Sequence, residues 1–165
     1  MVEWVRRAHP ERQKNMAQDI EQLKRQIAHL PPVARKRAER ELGIAEPAAE
    51  HRVFVYGTLL SGEINARRAG GARRQPATAR GTLYDTGFGY PAYTREGDTE
   101  VAGELLVVDD EAFASMDRLE GCPRLYRREE IEVCTSGGAR RAWVYIMNSL
   151  PASAKVIPGG SWRAR

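Results

Sequence analysis

At 165 residues the chain is long enough for one domain with a self-sufficient apolar core plus an extension. Its 26 Lys/Arg against 22 Asp/Glu give a formal net charge of +4, but the excess divides evenly, ten against eight in residues 1–50 and sixteen against fourteen in 51–165. No domain-scale basic field results, which argues against nucleic acid as a partner. No apolar run reaches membrane-spanning length, and Cys122 and Cys134 are too few for a disulfide framework and read as small, partly buried thiols. The opening Met1-Val2-Glu3-Trp4-Val5-Arg6-Arg7 has no hydrophobic signal core, so the expected setting is the cytoplasm.

Residues 1–50 read as a helical extension with its linker. Met16, Ile20, Leu23, Ile27 and Leu30 recur at steps of four and three, the spacing of a seam that packs helix on helix. Pro31-Pro32 ends that helix, and Val33 to Leu42 form a second one closed by Gly43 and Pro47, with Ala45 to Glu50 as the linker. An αα-hairpin is therefore expected. Three roles for it stay open: a lid on the following domain, a homodimer seam, or a docking arm for a partner.

From residue 51 to 165 the pattern changes to short strands, expected at Val53–Tyr56, Ala79–Tyr84, Val101–Val108, Arg128–Cys134 and Arg141–Met147. Ser136-Gly137-Gly138 is a hairpin turn between the last two, and Thr94 to Asp98 reads as another turn. Asp109-Asp110-Glu111 can cap a short helix whose apolar positions are Phe113, Met116 and Leu119, ended by Gly121 and Pro123. The fold class is α+β, a small closed or nearly closed sheet with short helices, preceded by the helical hairpin.

Histidine supplies an exclusion. His9, His29 and His51 all lie before or at the edge of the second domain, so a Ser-His-Asp or Cys-His set and most zinc sites are not expected there. No cofactor and no metal is implied by any cluster. Proton transfer falls to a carboxylate, Tyr, Lys or Cys.

Glu120 is the first candidate. It ends the short helix, where the local partial negative charge disfavours a second one and raises a carboxyl pKa; an apolar setting would push the same way. A carboxyl tuned upward can accept and return a proton near neutral pH. The competing reading is an exposed helix-end Glu paired with Arg118 or Arg124. The second candidate is the turn Tyr56-Gly57-Thr58-Leu59 after the strand Val53-Phe54-Val55, whose glycine permits close approach and whose successive N–H groups can form an anion-binding nest. Glu104, inside the apolar run Val101–Val108, is either a supporting pocket group or a structural carboxylate paired with one of the arginines. Tyr126 is a pocket or core residue, Phe88-Gly89-Tyr90-Pro91 a mobile or pocket-edge loop, and Trp162 a pocket closure or a core plug.

Three segments taken in order, Tyr56-Gly57-Thr58-Leu59-Leu60, Asp117-Arg118-Leu119-Glu120-Gly121 and Ile157-Pro158-Gly159-Gly160-Ser161-Trp162, resemble the γ-glutamylcyclotransferase-like family over roughly residues 52–165. The pattern of Tyr-Gly-Thr-Leu with Glu-Gly-Cys-Pro-x-Leu-Tyr is nearest its γ-glutamylamine cyclotransferase, AIG2-like branch. The resemblance implies a small mixed β-barrel, Glu120 as catalytic acid/base, and Tyr56, Gly57, Thr58 and Leu59 as the site that holds the glutamyl carboxylate, with Tyr126 shaping the pocket. The implied reaction is attack of the glutamyl α-amine on its own γ-carbonyl, releasing 5-oxoproline and an amine or amino acid. A non-catalytic binding module of the same fold is the rival from another class, and hydrolysis to free glutamate is a further alternative.

Overall fold

A computed structural model describes residues 10–44 and 50–165; His9 and the expected linker, apart from Glu50, lie outside the described residues. The described residues fall into two compact units, one within 1–48 and one within 49–165, and each is taken by itself.

The first unit is a pair of helices, α1 (Pro10–Ile27) and α2 (Pro32–Glu41). Pro32 opens α2 at a position where its fixed φ suits the helix and its missing N–H costs nothing, while the extended Pro31 precedes it. Helix α1 stops at Ile27, three residues short of the end of the apolar seam, and Leu30 N–H turns back onto Ile27 O at 3.1 Å. Ile20, Leu23, Ile27 and Leu30 are half-buried, whereas Met16 is exposed. The expected helical pair is present.

In the second unit the elements run β1 (His51–Val55), β2 (Arg73–Asp85), β3 (Pro91–Val108), α3 (Asp110–Leu119), β4 (Tyr126–Thr135), β5 (Gly138–Met147) and β6 (Lys155–Val156), with 3₁₀ turns at Ala66–Ala69 and Trp162–Ala164. The strand order β3-β1-β5-β4-β2 closes on itself because β2 also pairs with β3, giving a five-stranded barrel; β6 adds a short pairing to β2. The β1–β5 pairing is parallel and its neighbours antiparallel, so the barrel is mixed. Closure removes the free edges that a small open sheet would expose.

Strand β1 and the end of β3 are buried on both faces. Val53 and Phe54 of β1, Leu105 and Leu106 of β3, Val133 of β4 and Val144 of β5 are fully buried, and α3 adds Met116. Gly103 lets β1 and β3 approach, since a Cβ there would overlap Val55 O and the Phe54 ring. Trp162 is buried among these residues and takes the role of core plug, one of the two readings open to it.

Two expectations change. The turn expected at Thr94–Asp98 is a bulge within one long strand. Gly81 pairs with Thr99 and Thr82 with Thr94, so residues 95–98 have no partner in β2. Strand β2 begins at Arg73 rather than Ala79, because Arg73–Thr78 pair with Ala102–Val107 although they carry no apolar alternation. Pro76 fits there because it sits just before Ala77 and Thr78, the two residues that also pair with β4. Of the thiols, Cys122 is half-buried and Cys134 exposed. Among the described residues no helix is long and apolar enough to cross a membrane.

Candidate active site

Strand β1 delivers the turn. Beyond Val55, Leu60 N–H closes onto Gly57 O at 2.9 Å, and Asn65 braces the loop from outside, its N–H on Thr58 O at 3.0 Å and its Nδ2 on Thr58 Oγ1 at 3.2 Å. Among the turn and loop hydrogen bonds of the described residues, none is donated by the N–H of Gly57, Thr58 or Leu59. Gly57 is required by packing, since a Cβ would overlap the Pro91 ring.

Helix α3 delivers Glu120. Asp109 caps its start, accepting from Ala112 N–H at 2.8 Å, while Phe113 and Met116 bury its inner face. Glu120 occupies the C-terminal cap, its N–H on Met116 O at 2.9 Å, and Gly121 (φ +60°) turns the chain away.

These two ends meet in one open pocket. Glu120 lies in its wall together with Tyr56, Gly57, Thr58, Leu59 and Tyr126. Tyr90 and Pro91 add an edge, so that half of the Phe88–Pro91 loop is at the pocket, and Tyr145 of β5 completes the wall. Glu104 does not line it: its carboxylate is buried against Arg74 at 2.9 Å and Arg163 at 3.1 Å, the structural alternative for that residue.

Burial pushes the Glu120 carboxyl from an ordinary 4.5 up to about 7. Among the described residues no hydrogen bond or ion pair reaches its side chain, so the pairing with Arg118 or Arg124 is not formed. The surrounding phenols are held neutral: burial raises Tyr56, Tyr126 and Tyr145 well above the usual range, and the Glu120 charge adds to it. For Tyr145 the hydrogen bond to Asp117 also contributes.

Each of these hydroxyl protons is already committed. Tyr56 donates to Tyr145 O at 2.6 Å, Tyr126 to Pro91 O at 2.8 Å, and Tyr145 to Asp117 Oδ1 at 2.8 Å. Asp117 is held in turn by Arg128 Nε at 3.4 Å. None of the three donates to Glu120, which leaves the carboxyl as the one acid/base in the wall with a pKa near neutrality. The phenol oxygens keep lone pairs that can accept from a ligand ammonium or amide. Tyr145 escaped sequence reading because it sits inside an apolar strand; a polar-tipped aromatic there was the available signal.

A closed mixed barrel thus holds an unpaired, half-buried carboxyl and the Tyr56–Leu59 turn in the wall of one pocket. The chain belongs to the gamma-glutamyl cyclotransferase, AIG2-like family, which matches residues 53–164. It is an enzyme of the γ-glutamylcyclotransferase type. A Vibrio cholerae protein provisionally named a gamma-glutamylcyclotransferase is 38% identical over 122 residues, covering 70% of this chain and 98% of that protein. The gamma-L-glutamyl-butirosin B gamma-glutamyl cyclotransferase of Niallia circulans is 39% identical over 104 residues, 58% of this chain and 66% of that one. Among solved structures, YkqA from Bacillus subtilis shares the fold with a TM-score of 0.59 at 24% identity, over 70% of this chain and 40% of that one.

Proposed function

We propose that residues 51–165 carry out an intramolecular cyclisation of γ-glutamyl compounds, with Glu120 as the proton carrier and residues 1–50 as an extension outside the chemistry. The glutamyl α-carboxylate sits on the N–H groups of Gly57, Thr58 and Leu59, which have no acceptor of their own among the described residues. Pinned there, the glutamyl chain folds so that its α-nitrogen reaches its γ-carbonyl and closes a five-membered lactam. Such an intramolecular attack has an advantage of several kcal/mol over an intermolecular one.

The balance of the step is simple. Glu120 as carboxylate takes a proton from the α-ammonium, the freed amine attacks the γ-carbon, and the C–N bond to the leaving group breaks. The protonated Glu120 then supplies the proton that the departing nitrogen needs, the ring nitrogen passes its remaining extra proton to the departing amine, and the products are 5-oxoproline and a protonated amine. A carboxyl near pH 7 suits both halves, because neither proton transfer is strongly uphill. Tyr56, Tyr126 and Tyr145, with their protons committed, present oxygens that accept from the α-ammonium and orient it; Tyr126 shapes the pocket around the glutamyl chain.

The leaving group is assigned to the γ-glutamylamine class. A relative from Bos taurus, 28% identical over 120 residues, is named a gamma-glutamylaminecyclotransferase. The pocket wall carries no Lys, Arg or His to meet the carboxylate of a departing amino acid. The observation that carries the proposal is the unpaired Glu120, raised to about 7, across the pocket from the turn's free N–H groups. It is tested by incubating purified protein and its Glu120→Gln variant with γ-glutamyl-ε-lysine, a γ-glutamyl-alkylamine and several γ-glutamyl amino acids, and scoring 5-oxoproline by mass spectrometry. Release by wild type alone, greatest from the amine substrates, is expected. Free glutamate as product, or turnover unimpaired in the variant, would contradict it.

A further inference from the structure

Next to the turn lies a polar cluster joined to Leu59 and Ser61, and the chemistry of the pocket does not use it directly. At its centre is Glu104 of β3, only 7% exposed. Ser61 N–H donates to both its carboxylate oxygens, at 3.0 and 3.2 Å, and Ser61 Oγ donates to Oε1 in a short contact. Arg74 of β2 reaches Oε2 at 2.9 Å with Nη1, which also donates to Leu59 O at 3.0 Å, while its Nη2 donates to Ala66 O at 2.9 Å. Arg163, from the 3₁₀ turn at Trp162–Ala164, brings a single nitrogen, Nη2, to three acceptors: Glu104 Oε1 at 3.1 Å, Ser61 Oγ at 3.2 Å and Ser61 O.

The partners chosen are informative. The carbonyl of Leu59 and the N–H, carbonyl and hydroxyl of Ser61 are all fixed by side chains from β2, β3 and the 162–164 turn. These backbone groups flank Leu60, whose own N–H closes the turn on Gly57. The backbone on both sides of Leu60, next to the N–H groups of 57–59, is thereby tied to the barrel wall. Burial alone would raise the Glu104 pKa, but the hydrogen bonds from Ser61, then Arg74 and Arg163, outweigh it and hold the carboxyl below its ordinary value. The cluster stays charged, with two guanidinium groups around one carboxylate. A ring of charge-assisted hydrogen bonds of this kind is stronger and more directional than neutral ones.

We propose that Glu104, Arg74 and Arg163 form a positioning clamp that sets the geometry of the substrate-carboxylate turn through Ser61 and Leu59, without touching substrate. The proposal rests on the functional reading above for what the turn binds. It deepens that reading by assigning affinity for the glutamyl carboxylate to residues outside the pocket. Arg163 is the useful handle, because its side chain is 48% exposed and its removal leaves the barrel core intact.

The test has two readouts. In Arg163→Ala, KM for the panel substrate turned over fastest rises about tenfold while kcat stays within about twofold, since the clamp acts on binding of a group remote from the reacting atoms. The pH midpoint of kcat/KM is unchanged. Because one nitrogen makes all three contacts, Arg163→Lys returns most of the lost affinity. Independently of any turnover, amide exchange followed by NMR shows the Leu60 N–H exchanging at least about tenfold faster in Arg163→Ala, with the β1 and β3 amides unchanged. Unaltered Leu60 exchange, or a loss that falls on kcat together with a lowered urea midpoint, overturns the clamp. A wild-type protein that makes no 5-oxoproline overturns the reaction instead, and the exchange readout then decides the clamp by itself.

Discussion

Replacing Glu120 by Gln removes a buried titrating group while keeping its shape, and the consequence for stability can be worked out from the site. Folded, the carboxyl titrates near 7; unfolded, it returns to about 4.5. Between those values the folded chain keeps a proton that the unfolded chain has released. Stability conferred relative to the neutral isostere is therefore intact below about pH 4.5, falls as pH rises toward 7, and is flat above it. The size of the fall is about 3 kcal/mol, at 1.36 kcal/mol for each unit between 4.5 and 7. The amide of the Glu120→Gln variant has no such dependence. Urea unfolding followed by tryptophan fluorescence is the assay, with wild type and Glu120→Gln compared at pH 4.0 and pH 8.5. At pH 4.0 the two should unfold together. At pH 8.5 the variant should be the more stable by about 3 kcal/mol. A difference that is the same at both pH values, or that favours wild type at pH 8.5, would mean that the carboxylate is solvated or paired and would refute the reasoning.

Three further substitutions probe the parts that bring the pocket together. Tyr145→Phe deletes the donor to Asp117, which keeps Arg128, so a loss of about 1 kcal/mol in urea unfolding is expected; no loss would mean that the bond is made equally well by solvent. Gly57→Ala drives a methyl into Pro91 across the pocket edge and should cost about 1–3 kcal/mol of stability with at least a tenfold rise in KM; normal kinetics would show that the turn can shift without consequence. Asp109→Ala removes the cap of α3 and should cost about 1 kcal/mol. Because α3 carries Glu120 at its other end, unchanged kcat in that variant would show that the helix end is held by Met116 and Phe113 alone.

Much of the site was legible because its parts are local. A strand ending in Tyr56-Gly57, and a capped helix ending in Glu120-Gly121, each announce themselves within ten residues, and both ends line one pocket. What a sequence pattern carries poorly is pairing across distance. Glu104 finds Ser61, Arg74 and Arg163 at separations of 43, 30 and 59 positions, and nothing local selects those partners from among the other arginines. The same limit hides the first half of β2, where Arg73 to Thr78 lack alternation and owe their strand conformation to Ala102–Val107 opposite. At residues 94–98 the glycine and polar residues read as a turn, whereas the chain runs on as one strand with a bulge there. Whether such a segment reverses the chain or bulges it is decided by the partner strand, which resumes at Thr82.

The raised Glu120 carboxyl is the hinge of the account, and the pH dependence of kcat/KM for 5-oxoproline release reports on it in the free enzyme. Measured from pH 5 to 9 on a γ-glutamylamine, the profile should rise with a single limb centred near 7, and Glu120→Gln should abolish both the limb and the bulk of the turnover. A limb centred near 4.5, or a variant that cyclises at the wild-type rate, would contradict it.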